Sequence, residues 1–175
     1  MKYVRRPEGE RYNHRYFKPT VEHGGGSVLV YGAFSRNGMG PLVKIDGTMD
    51  AQLYKDILVN VVVPWANGNM PQGWILQQDN DPKHTSRFVK HALQHLPVTV
   101  LEWPSHSPDL NPVEYIWQEL KKRCARIRCT NRDEKFAQLK KEWESIPTSV
   151  FEKLIDSMPS RCAAAIKSCG FPTKY

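Results

Sequence analysis

Two acids stand out for their setting. Asp79 follows the apolar run Trp74-Ile75-Leu76 after Gln77-Gln78 and stands in the polar turn Asp79-Asn80-Asp81-Pro82-Lys83-His84. Glu114 follows the proline-punctuated segment Pro104-Ser105-His106-Ser107-Pro108 and stands where a helix should begin, with 34 residues between the two acids. Carboxylates brought together from distant elements can hold hard divalent cations for phosphoryl chemistry. Each acid also has a plainer local role. An Asp before Asn-Asp-Pro forms turns without any metal. A Glu at the third position after Asn111 can close a capping box and complement the helix dipole.

The elements that would carry these acids follow from periodicity. Residues 1–23 suggest a hairpin and an extended arm, and Gly24-Gly25-Gly26 a flexible joint. Ser27 to Ser35 has the composition of a buried strand, Asn37-Gly38 that of a hairpin turn, and Pro41 to Asp46 that of the partner strand. Leu53, Ile57, Leu58, Val61, Val62 and Trp65 recur at helical spacing, with Asp50 as cap and Pro64 as a stop or kink. Gly73 to Gln78 forms a short strand leading into Asp79, which thus falls at a carboxyl edge, where ligands of open α/β sheets gather. Thr85 can cap a helix carrying Phe88, Val89, Ala92, Leu93 and Leu96, stopped by Pro97.

Val98 to Trp103 is a further strand. The next helix starts at Asn111 with Pro112 at its first position and an apolar stripe of Val113, Ile116, Trp117 and Leu120. Asn131 opens a helix with Phe136, Leu139 and Trp143 on one face. Two short helices follow, divided by Pro159 and ended by Gly170 and Pro172. This order argues for a mixed α/β sheet with helices packed on it. Trp103, Trp117 and Trp143 are expected in the core.

The chain has 175 residues, 40% apolar and 25% charged, which suits one domain with a real core. The longest apolar run, Ile57 to Trp65, is too short to cross a membrane and is interrupted by Asn60 and Pro64. Arg5, Arg6 and Glu8 near Met1 exclude a signal peptide there. Cys124, Cys129, Cys162 and Cys169 have no zinc spacing and are expected as reduced thiols of an intracellular protein. The net charge of +7 suits a polyanionic partner. Arg5, Arg6, Arg11, Arg15 and Lys18 crowd one end, and Lys121, Lys122, Arg123, Arg126 and Arg128 follow Glu114 on one expected helix. That helix face is either a phosphate track or simply solvated. Lys83 and His84 could touch a phosphate or lie in the first turn of a helix in solvent, and His106 could approach DNA.

Gln77-Gln78-Asp79-Asn80-Asp81-Pro82-Lys83-His84 and Ser107-Pro108-Asp109-Leu110-Asn111-Pro112-Val113-Glu114 resemble signatures of the Tc/mariner transposases, on the branch whose last acid is Glu. His23-Gly24-Gly25-Gly26-Ser27-Val28, Leu154-Ile155-Asp156-Ser157-Met158-Pro159 and Gly170-Phe171-Pro172-Thr173-Lys174-Tyr175 extend the resemblance over essentially the whole chain. It implies a ribonuclease-H-like α/β fold and metal-dependent cleavage and transfer of DNA strands. Three acids would hold two Mg²⁺ or Mn²⁺ ions, Asp79 bridging both and Glu114 binding one.

The family's first acid lies upstream of the segment matching residues 4–16. This chain is therefore expected to be one catalytic domain, residues 1–175, lacking its first strand, its first acid and the helix-turn-helix modules that recognise transposon ends. Asp46 in a hairpin turn and Asp50 at a helix start do not replace that acid, and Asp81 and Asp109 match other family positions. Such a chain would be inactive alone. The resemblance further implies DNA, a homodimer or an intact transposase as partners, no membrane, and the nucleus as location. Two competing expectations are a non-catalytic DNA-binding partner that poisons an intact transposase and a decayed relic without a role.

Overall fold

A hairpin buried on both faces organises the chain. The computed structural model describes residues 27–104, 107, 110–125 and 127–168. The expected N-terminal hairpin, arm, basic cluster and glycine joint, together with His106, Asp109, Arg126, Cys169 and the helix-ending Gly170 and Pro172, lie outside the described residues. β1 (Leu29–Ser35) pairs antiparallel with β2 (Gly38–Ile45). β2 begins before the expected Pro41, because the two-residue turn is Arg36-Asn37 and not the expected Asn37-Gly38; the Asn37 N–H donates to Ser35 Oγ at 3.1 Å.

Side chains alternate across the pleat. Tyr31, Ala33, Val43 and Ile45 face one apolar cluster; Val30, Phe34, Met39 and Leu42 face another. Met39 and Leu42, three apart, share a face only because the register shifts between Gly32 and Phe34, a bulge that inserts an extra residue on β2. The Trp143 indole N–H donates to the Gly40 carbonyl within that bulge at 2.8 Å. Gly32 lies under the ring ends of Trp117 and Trp143, and a Cβ there would sit 2.7 Å from each.

The first cluster is roofed by α1 (Ala51–Ile57), a π-helical turn (Leu58–Val62) and α2 (Val63–Asn69). Asp50 caps α1 as expected, its carboxylate accepting from the Leu53 N–H at 2.8 Å. Pro64 does not end the helix, which continues to Asn69. The wide turn before it shifts the hydrogen-bond ladder where the proline ring, lacking an N–H, would otherwise leave a gap. Tyr54, Leu58, Val62 and Ala66 thereby stay buried at four-residue steps, longer than the 3.6 of an α turn.

α3 (Arg87–Gln94) buries Val89 and Leu93 in the same cluster. Its cap is Ser86, which accepts from the Val89 N–H, and not Thr85, whose hydroxyl instead donates to the Asp81 carbonyl.

The second cluster is closed by α4 (Val113–Cys124), α5 (Arg132–Glu144) and α6 (Thr148–Asp156), followed by α7 (Met158–Lys167). Asn131 caps α5 by accepting from the Glu134 N–H, and the Glu134 carboxylate accepts from the N–H and hydroxyl of the preceding Thr130. Ile116, Leu120 and Trp143 are fully buried, with Trp117, Phe136 and Leu139 packed against them. Trp103 is half-buried and belongs to neither cluster, a departure from the expected core position. α4 ends at Cys124, so Arg128 does not share its face with Lys121 and Lys122.

β3 (Ile75–Leu76) and β4 (Thr99–Val100) pair in parallel. Both are much shorter than the expected strands, Gly73 to Gln78 and Val98 to Trp103. Gly73, at φ +82°, turns the chain before β3, and Pro97 and Pro104 flank β4. Among the described residues the expected single sheet is two two-stranded sheets, bridged by the first cluster through Leu76 and Ile45. Gly32→Ala should cost about 1–3 kcal/mol by overpacking against the two tryptophans, and urea denaturation of the variant beside the unaltered chain checks it.

Candidate functional site

Asp79 leaves the carboxyl end of β3 in a turn held by its own neighbours. Its Oδ1 accepts from the Asp81 N–H at 3.1 Å and lies 2.7 Å from His84 Nδ1. A carboxylate only accepts, so Nδ1 is the donor to it. Oδ2 has no hydrogen-bond partner among the described residues, and the Asp79 side chain is 47% exposed. One oxygen is therefore anchored and the other open.

His84 is held from behind. Its ring stacks on Tyr54 with centroids 4.0 Å apart, the Tyr54 hydroxyl donates to Gln78 Oε1 at 2.6 Å, and Gln78 Nε2 reaches the His84 carbonyl at 3.5 Å. Tyr54 is 1% exposed and meets Tyr31 edge-on. Burial, followed by electrostatic repulsion from the Tyr31 phenol oxygen and the Asp79 carboxylate, pushes the Tyr54 phenol far above its usual range. Burial likewise pushes Tyr31 up to about 12, against a smaller opposing hydrogen bond from Tyr54. Sequence periodicity gave the helix but not Tyr54 or Gln78. The four-residue series through Tyr54 and Leu58 was the available signal.

Lys83 and His84 lie in the turn before α3, not in its first helical turn. Lys83 Nζ is 2.7 Å from Asp81 Oδ2, and the Lys83 N–H donates to Asp81 Oδ1 at 2.9 Å. Burial works against the charge of Asp81, but these bonds outweigh it and hold the carboxyl below its ordinary value.

Glu114 lies in the first turn of α4 and is exposed. The expected capping box with Asn111 is not formed. The Glu114 N–H bonds the Asn111 backbone carbonyl at 3.3 Å in a tight first turn, and α4 has no side-chain cap. Its carboxylate has no partner among the described residues.

The parallel pairing puts both chain exits on one edge. The Leu101 N–H donates to the Leu76 carbonyl at 2.8 Å, and Asn80 Nδ2 donates to the Trp103 carbonyl at 2.7 Å. The turn of Asp79 is thus tied to the strand that leads toward α4, and the described contacts go no further toward Glu114. No group of three His, Cys, Asp or Glu suited to a metal occurs among the described residues. The donors present, two open carboxylates, are of the hard oxygen kind that Mg²⁺ and Mn²⁺ take. On the last turn of α4, Lys121 and Lys122 are exposed and have no ion pair among the described residues, whereas Arg123 bonds Glu119 at 3.0 Å. His106 lies outside the described residues.

Residues 1–137 match the family described as DDE superfamily endonuclease. The chain belongs to this family. It is 53% identical over 175 residues to the Tcb1 transposase of Caenorhabditis briggsae and 52% identical over 173 residues to the Tc1 transposase of Caenorhabditis elegans. These matches cover 100% and 99% of this chain but 64% and 63% of the relatives. The fold is similar to that of the Mos1 transposase catalytic domain, solved with Raltegravir and Mg, at a TM-score of 0.77 and 21% identity over 84% of this chain and 77% of that one. The fold is therefore the ribonuclease-H-like one expected, and the resemblance to Tc/mariner transposases holds. No helix among the described residues is long and apolar enough to cross a membrane.

The Tyr54 phenol gives this DDE-family site a signature at high pH. A phenol raised on folding stays protonated in the native state while the unfolded chain ionises near pH 10, so its stabilisation is present below about pH 10 and lost as pH rises further. Tyr54→Phe should remove up to about 1.4 kcal/mol per pH unit from that decline, read from urea midpoints at pH 9 to 11 in both proteins.

Proposed function

We propose that this chain carries the catalytic core of a transposase, acting on DNA by divalent-metal phosphoryl transfer, with Asp79 and Glu114 as two of the metal-holding acids. The observation that carries the proposal is Asp79 itself: a carboxylate with one oxygen fixed by His84 and a backbone N–H and the other open, at a strand's carboxyl edge in a DDE-family chain. Mg²⁺ or Mn²⁺ bound there would make a nucleophile of water or a DNA 3′-hydroxyl and steady the leaving oxygen. Asp79 and Glu114 would supply the hard oxygens. His84, stacked on Tyr54, would keep Asp79 in one rotamer rather than touch the phosphate through Nδ1. Lys121 and Lys122, with no ion pair among the described residues, are the better candidates for phosphate contact on α4; Lys83 and Arg123 are already engaged by acids.

DNA as partner is supported by relatives and neighbours: one Mos1 structure is a paired-end complex with the left transposon end, at a TM-score of 0.77. Self-association and action in the nucleus belong to the same proposal. The chain spans 64% of the Tcb1 transposase, so the test supplies the remainder of that relative. Joined in frame to the part of the Tcb1 transposase that it does not span, the chain should nick DNA carrying that element's ends in Mn²⁺. Asp79→Asn or Glu114→Gln should lower the rate on the order of 10³-fold or more. Undiminished nicking by both variants would refute the assignment.

A further inference from the structure

α3 carries two histidines that the Asp79 turn does not use. His91 lies in its last turn and His95 at its C-cap, both exposed, with the Nε2 atoms 3.3 Å apart and the rings 4.6 Å between centroids. A four-residue step places such side chains one above the other on a helix. Two nitrogens each about 2.0–2.1 Å from a tetrahedral ion are themselves about 3.3–3.4 Å apart. The observed spacing therefore matches that of two imidazoles sharing one cation.

Facing lone pairs repel, so a proton or a cation must stand between these atoms. The helix beneath is fixed, since Val89 at 0% and Leu93 at 6% exposure anchor its other face in the core. Its carboxyl end also carries the negative pole of the helix dipole, which favours positive charge. Imidazole nitrogens suit zinc, nickel and copper, whereas Mg²⁺ takes oxygen donors. We propose that His91 and His95 form a surface site for a zinc-class divalent cation, completed by water and separate in donor chemistry from Asp79 and Glu114.

Calorimetric titration of Zn²⁺ into the full chain in excess Mg²⁺ tests this, with His91→Gln and His95→Gln compared after circular dichroism has established that both fold. Losing one of two ligands should weaken binding at least as much as losing a supporting partner of a ligand, on the order of 10–100-fold. Unchanged isotherms in both variants would assign the ion to other donors, such as the free thiols of Cys124, Cys129 and Cys162, and overturn the proposal. Absence of Zn²⁺ binding by the unaltered chain would overturn it too, leaving the pair as an N–H···N hydrogen bond.

Discussion

The burial of both faces of the β1–β2 hairpin is the constraint on which the rest of the structure depends. A two-stranded ribbon alone is marginal in water, and this one is stabilised by an apolar cluster on each side. The bulge at Gly40 makes that double burial possible, because it returns Met39 and Leu42 to one face and presents a carbonyl to Trp143. From the other face the support runs outward in named contacts. Tyr31 meets Tyr54, Tyr54 stacks on His84, and His84 holds one oxygen of Asp79. The position of the candidate ligand is thus set by the core of the hairpin, through two rings buried enough that their phenols resist ionisation.

This arrangement separates rigidity from openness. A metal-ligating carboxylate works best when its supporting shell fixes it without using all of its oxygens. Asp79 meets that description, and Glu114, at the start of a helix whose far end is basic, has no partner for its carboxylate among the described residues. Lys83 shows the opposite case. Its charge is spent on Asp81, whereas Lys121 and Lys122 on the last turn of α4 are exposed and have no ion pair among the described residues.

Much of this was legible in the sequence, and the failures have physical reasons. The hairpin, the caps at Asp50 and Asn131 and the face of Phe136, Leu139 and Trp143 follow from local chemistry that no distant contact overrides. The motifs around Asp79 and Glu114 gave the family. Strand lengths were overestimated because Gly73, Pro97 and Pro104 cut the parallel pair to two residues each, and apolar composition does not reveal where a ladder stops. Of the stop or kink expected at Pro64, the stop does not occur, because a π-helical turn absorbs the missing N–H, which periodicity at 3.6 does not foresee. Tyr54 escaped notice because its partner, His84, lies in a turn 30 residues on, and Gln78 because it accepts from Tyr54, 24 residues before it.

The account stands or falls on whether Asp79 and Glu114 serve one ion. The most direct measurement is paramagnetic broadening of side-chain carboxyl carbon resonances as Mn²⁺ is added to the chain. Broadening of Asp79 and Glu114 together, ahead of the other acids, is the result the account predicts. Broadening of either alone, or of both only alongside every surface carboxylate, would contradict it.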